Sequence, residues 1–167
     1  MSVNKIDGFG TRKDGSGGEV ANKERRQRFL RFRASEAIEK GHAVALDLAA
    51  TEPDFGYGTA IKMADTDDAL NQVAFGIAVE AASAAGDLIE VQVSGYCDIA
   101  QVTAAITEPG DEGKLLAASA TEGELALVDA DGAGDGTGFL LPCAILIELG
   151  TAATADSEVF LLNPLGL

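Results

Sequence analysis

From residue 36 onward the hydrophobic positions fall in short runs separated by Gly, Asp or Pro. HAVALDL, TAIKMA, FGIAVEA, LIEVQVSG, CDIAQV, GKLLAAS, ELALVDA, FLLPCAILIEL and EVFLLN are all strand-sized. Turn residues recur between them at the interval of all-β proteins. The pattern predicts an antiparallel β-sandwich or barrel of about eight to ten short strands. TDDALNQVA is a candidate for a helix, where Asp65 or Thr66 can cap, but the segment is short. Upstream, EVANKERRQRF suits a short charged helix, whereas RFLRFRAS alternates, with Arg28, Leu30 and Phe32 on one side and Phe29, Arg31 and Arg33 on the other.

The body also repeats itself. GIAVEAASAAGDLIEVQVSG (76–95) lies over AILIELGTAATADSEVFLLN (144–163) without a gap, at a constant offset of 68. Glu80 meets Glu148, Glu90 meets Glu158 and Val91 meets Val159, while Ile77, Val79 and Val93 meet Ile145, Ile147 and Leu161. Further upstream, AIEKGHAVALD and AITEPGDEGKLLAAS each run from an Ile through a Gly-containing turn into an apolar strand. An internal duplication is the expectation from both matches, set against chance alignment of a chain rich in Ala, Gly and Glu.

Charge divides the chain differently. The net charge is −15, yet residues 1–40 carry ten of the twelve Lys and Arg against six acids, a local +4, and the remainder carries −19. The division predicts an extended basic N-terminal arm over 1–35 and an acidic β domain over 36–167. DGFGTRKDGSGG (7–18) has no periodicity and reads as a flexible stretch. Lys23, Arg25, Arg26, Arg28, Phe29, Leu30, Arg31, Phe32 and Arg33 form the candidate binding site of the arm. The cations would pair with carboxylates, and the apolar residues would fill grooves or add a strand to an exposed edge. A chain cut after residue 34 is then expected to leave a folded body that has lost its partner.

Composition narrows the chemistry. Apolar residues make up 47% of the chain, but aromatics only 5%, so Ala, Val, Leu and Ile must build the core. Cys97 and Cys143 form no CxxC pair and read as buried free thiols. No run approaches the ~20 apolar residues of a helical membrane span, and no cofactor is expected. His42 is the only histidine and sits at a strand entrance, so Ser–His chemistry lacks a base. Paired acids such as Asp67 with Asp68, or Glu122 with Glu124, are the sole support for a carboxylate-based enzyme, and in so acidic a body they read as solvated faces.

Asp129, Asp131 and Asp135 in DADGAGDGTG are a weak calcium candidate, because Leu140 stands where an EF-hand needs its bidentate Glu. Nucleic acid would suit the basic run through its phosphates, but the −19 body would be repelled by them, so an acidic protein surface fits better.

The succession of a Gly turn at Gly41, the pair Ala64–Asp65, the GIAVEA strand at 76–81 and the strand Ala85–Gly95 resembles the head-decoration, or capsid cement, proteins of tailed bacteriophages. The second cycle lacks the Gly that would stand at 144, and the long basic arm is not a fixed feature of that group. The resemblance implies a non-enzymatic virion protein, made in the host cytoplasm, that binds the outside of the capsid. Its partners would be the major capsid protein, clamped across capsomer boundaries, and other copies of itself in a homotrimer. The arm would act as the tether.

Overall fold

Each apolar run within the described residues forms strand, because alternate side chains find a common interior. The computed structural model describes residues 27–48, 60–67, 73–106, 110–128, 141–150 and 156–166. These hold nine strands and no helix: β1 Arg28–Ala34, β2 Ala43–Leu46, β3 Ala60–Met63, β4 Gly76–Ala78, β5 Leu88–Ala100, β6 Leu115–Ala118, β7 Leu125–Leu127, β8 Ala144–Glu148 and β9 Ser157–Leu161. The protein is all-β. Residues 68–72 of the candidate helix lie outside the described residues. LIEVQVSG and CDIAQV, separate runs in the sequence, join as the thirteen-residue β5, which passes through Gly95 at φ 89°.

The strand neighbours run β1-β3-β2-β4-β5-β9-β8-β6-β7, with an additional pairing of β1 to β5. That pairing closes a circuit. β1 runs antiparallel to the first half of β5, with Leu30 opposite Val91 and Phe32 opposite Ile89. Its far end lies parallel to β3, with Ala34 opposite Ile61. The first five strands are therefore a closed barrel, which has no open edge. Val44, Ile61, Phe75, Ala78, Ile89, Val91 and Val93 are buried inside it, with Leu30, Phe32, Leu46 and Met63 packed against them.

β5 then leaves this barrel and starts a second. Past Gly95 it pairs with β9, Tyr96 opposite Phe160 and Cys97 opposite Val159. β9, β8, β6 and β7 follow in order, and a parallel bridge between Val102 and Leu125 returns to the end of β5. Leu116, Ala118, Leu125, Cys143, Leu146, Val159 and Leu161 fill this interior.

The two barrels repeat each other in register. Ile77 faces Gln92 and Ala78 faces Val91 in the first; Ile145 faces Phe160 and Leu146 faces Val159 in the second. The offset of 68 becomes 72 at β6 and 64 at β7 and then returns, because the intervening loops differ in length. Backbone hydrogen bonds recur with it: Gly41 N to Ala78 O and Gly113 N to Leu146 O, both 2.8 Å, and Ser35 N to Ile61 O and Thr103 N to Leu125 O, at 2.8 and 2.9 Å. Residues 28–95 and 96–163 thus form equivalent units, and β1 corresponds to the second half of β5.

That correspondence moves the expected domain boundary. Arg28–Ala34, read as part of an arm, is a strand of the first barrel, so the division at 35/36 cuts through the body. Charge drew the boundary too late; the alternation in RFLRFRAS was the stronger signal. Leu30, Phe32 and Ala34 point inward, and Phe32 meets Phe75 edge to face at 5.3 Å between ring centroids. The charged-helix alternative for EVANKERRQRF fails at Arg28 and Phe29, which are already extended.

Candidate binding surfaces

The inward turn of Leu30, Phe32 and Ala34 forces the alternate residues of β1 outward, since successive side chains of a strand face opposite ways. Phe29, Arg31 and Arg33 therefore share an exposed face, and Arg28 is exposed at the start of the strand. Arg31 Nη2 stands 3.8 Å from Glu80 Oε2, and Arg33 Nη1 donates to Gly86 O at 3.2 Å. Both are solvent-side contacts, which hold the guanidinium groups in place with little energy. Of the nine residues expected to bind as one arm, Leu30 and Phe32 are committed to the barrel's own core. Lys23, Arg25 and Arg26 lie outside the described residues.

The acids do local structural work. Asp87 accepts from Ser83 N and Oγ at 2.8 Å and from Ala84 N at 3.1 Å, and these donors, led by the Ser83 hydroxyl, hold its carboxyl below the ordinary range. Glu112 accepts from Gly110 N at 2.9 Å, with the same consequence. Asp65 accepts from Asp67 N, tightening a turn. Among the described residues no three His, Cys, Asp or Glu side chains converge as a metal site would require. Asp68, Asp129, Asp131 and Asp135 lie outside them.

The remaining reactive groups are sequestered. Burial pushes the Cys97 thiol up to about 11 and the Cys143 thiol up to about 12, so neither is a thiolate at neutral pH. His42 is wedged where the barrels meet: its Nδ1 is 3.1 Å from Met63 Sδ, and a Cβ added to Gly123 would stand 2.6 Å from its ring.

No known protein family matches the chain, and no curated protein matches it in sequence.

The repeat exposes a second surface that sequence reasoning missed. In the first barrel an outward row crosses the strands from Ala43 to Ile77 to Gln92. Ala43, Ile77 and the neighbouring Ala45, Ala64 and Ala74 are buried because the second unit lies on them. Ala43 N donates to Gly123 O at 2.7 Å, Gly123 N to Ala64 O at 3.0 Å and Gln101 N to Gly41 O at 3.0 Å, stitching the two units together.

The equivalent row of the second barrel is Leu115, Ile145, Phe160 and Tyr96, adjacent across β6, β8, β9 and β5. Leu115 is 41% exposed and Ile147, farther along β8, is 39% exposed. The row is more apolar than its covered counterpart, with Leu115 for Ala43 and Phe160 for Gln92. The signal lay in the offset alignment, which already set Gln92 over Phe160 and Ser94 over Leu162.

Proposed function

We propose that this protein is a structural component of a tailed-phage head that binds the outer face of the capsid shell and stabilises it by bridging copies of the major capsid protein. It is not an enzyme on this reading, and it works at the virion surface. The observation that carries the proposal is the division of the basic run at Gln27. Downstream, Leu30, Phe32 and Ala34 are spent on the first barrel. Upstream, Lys23, Arg25 and Arg26 precede that strand in sequence, on a chain whose residues 41–167 carry −19. Cations that adjoin a rigid acidic body in this way suit capture of a carboxylate-rich protein surface, with attraction acting over a Debye length of ~8 Å. Two barrels filled with side chains and bearing sequestered thiols suit a load-bearing module, and the resemblance at Gly41, Ala64–Asp65 and 76–95 supports the same reading.

The fold changes the experiment that tests the tether. Removal of residues 1–26 spares β1, whereas removal of 1–34 takes a strand out of the barrel. In co-sedimentation with undecorated heads, the full chain is expected to pellet with the shells and the chain starting at Gln27 to remain folded in the supernatant. Equal binding by the shortened chain would reject the tether, and failure of the full chain to bind any head would reject the decoration role.

A further inference from the structure

The two units pack head to tail within one chain, and the repeat states which surfaces such a contact uses. The β2–β4 outer face of the first unit receives the second half of β5 and the β6–β7 turn of the second. Ile99 O and Gln101 crowd Gly41 so closely that a Cβ there would lie 2.4 Å from that carbonyl oxygen. Gln101 Nε2 also donates to Lys40 O at 3.2 Å.

The equivalent positions in the second unit are open. Gly113, the counterpart of Gly41, shares its left-handed backbone at φ 80°, yet among the described residues nothing lies within 4 Å of its added Cβ. On the strands beyond it lie Leu115, Ile145 and Phe160, adjacent across β6, β8 and β9, with Ile147 farther along β8, a row of side chains that a closed barrel does not need on its outside. The counterpart of Lys40 is the exposed Glu112. The segment that would cover this face, were the internal contact repeated, is the counterpart of Ile99–Gln101, namely Arg31–Arg33 of β1. Both of those arginines are exposed on the first barrel. Where the internal contact sets the Gln101 side chain on the Lys40 backbone carbonyl, the repeated one would set Arg33 beside position 112, where the exposed Glu112 offers a carboxylate.

We propose that the open face of the second barrel, Leu115, Ile145 and Phe160 rimmed by Glu112, binds the Arg31–Arg33 face of β1 on a second copy of this chain, continuing the internal barrel-to-barrel contact between molecules. The contact is heterologous: each copy uses one face as donor and another as acceptor, so association gives a ring if the rotation closes and a filament if it does not. The planar guanidinium groups suit both parts of the acceptor, pairing with Glu112 and lying against Tyr96 and Phe160. The proposal rests on the repeat and stands apart from the decoration role.

Sedimentation of the purified chain across a concentration series tests it. The wild type is expected to associate, and L115E/I145E on one face or R31E/R33E on the other to weaken association more than about tenfold. Unchanged circular dichroism and unfolding midpoints verify that each variant is folded. Mixing the two variants is decisive, because one intact donor face and one intact acceptor face remain: they should form a one-to-one pair and stop there. Charge reversal as E112R together with R33E should restore association lost in R33E alone. A wild type that stays at the mass of one chain, variants that associate as well as the wild type, or a mixture that fails to pair would each overturn the proposal.

Discussion

The two barrels follow the same path with nearly the same inner pattern, and they differ mainly on their outsides. Inside, Val44, Ile61 and Val91 are answered by Leu116, Leu125 and Val159, all buried. Outside, Ala43 is covered and Leu115 is not. A shared interior preserves the fold, whereas the exterior of each unit is adjusted to what lies against it. The first barrel presents small residues to its neighbour within the chain; the second presents larger apolar ones to solvent. The N-terminal strand carries the same lesson, since β1 and the second half of β5 occupy equivalent places, one arginine-faced and exposed, the other packed on its neighbour.

The sharpest way to break the equivalence is to remove β1. A chain starting at Ser35 lacks Leu30, Phe32 and Ala34 and exposes the edges of β3 and β5, so the first barrel is expected to lose cooperative unfolding altogether. The chain starting at Gln27 should unfold like the full protein. Chemical denaturation followed by circular dichroism separates the two.

Core truncation gives the next largest contrast. Phe75 and Cys143 are counterparts, so Phe75→Ala should cost about 4 kcal/mol and Cys143→Ala about 1 kcal/mol, in proportion to the volume removed. Equal losses, measured by denaturant titration, would show that the second barrel tolerates less than its smaller side chain implies.

Glycine substitution tests the covered and open faces directly. Gly41→Ala meets both a left-handed backbone and the Ile99 carbonyl, and should destabilise by about 3 kcal/mol. Gly113→Ala meets only the backbone conformation, and should cost about 1 kcal/mol. Matching values would mean that the environments of the two turns are not distinct.

The smallest effect concerns pH. Ser83 and Ala84 donors hold the Asp87 carboxyl below its ordinary 3.8 in the folded chain. A depressed folded value means that the stabilisation is complete above the unfolded carboxyl pKa and is lost as pH falls through the folded one. The protection of the Ser83 and Ala84 amides, measured against their intrinsic exchange rates at each pH, should therefore fall on acidification below about pH 4. Asp87→Asn should abolish that acid dependence; an unaltered profile would place its origin elsewhere.

Much of this was legible in the sequence, and for identifiable reasons. Strand-sized runs such as HAVALDL and EVFLLN became β2 and β9 because a closed interior demands period-two burial. The offset of 68 was visible because β4, β5, β8 and β9 are joined by connections of matching length. β1 was misassigned because five arginines near it outweighed three inward-facing apolar residues. LIEVQVSG and CDIAQV stand as two runs in the sequence, yet β5 continues through Gly95 and joins the barrels. The open face escaped notice because exposure is set by which unit lies against which, and no single run of residues encodes that.

Thiol labelling of two substituted chains tests the central comparison most directly. Ala43→Cys places a thiol on the covered face and Leu115→Cys on the open one, while Cys97 and Cys143 stay buried. Ala43→Cys should label slowly at every protein concentration. Leu115→Cys should label quickly when dilute and progressively more slowly as copies meet. A Leu115→Cys rate that is independent of concentration, or one as slow as Ala43→Cys in dilute solution, would contradict the account.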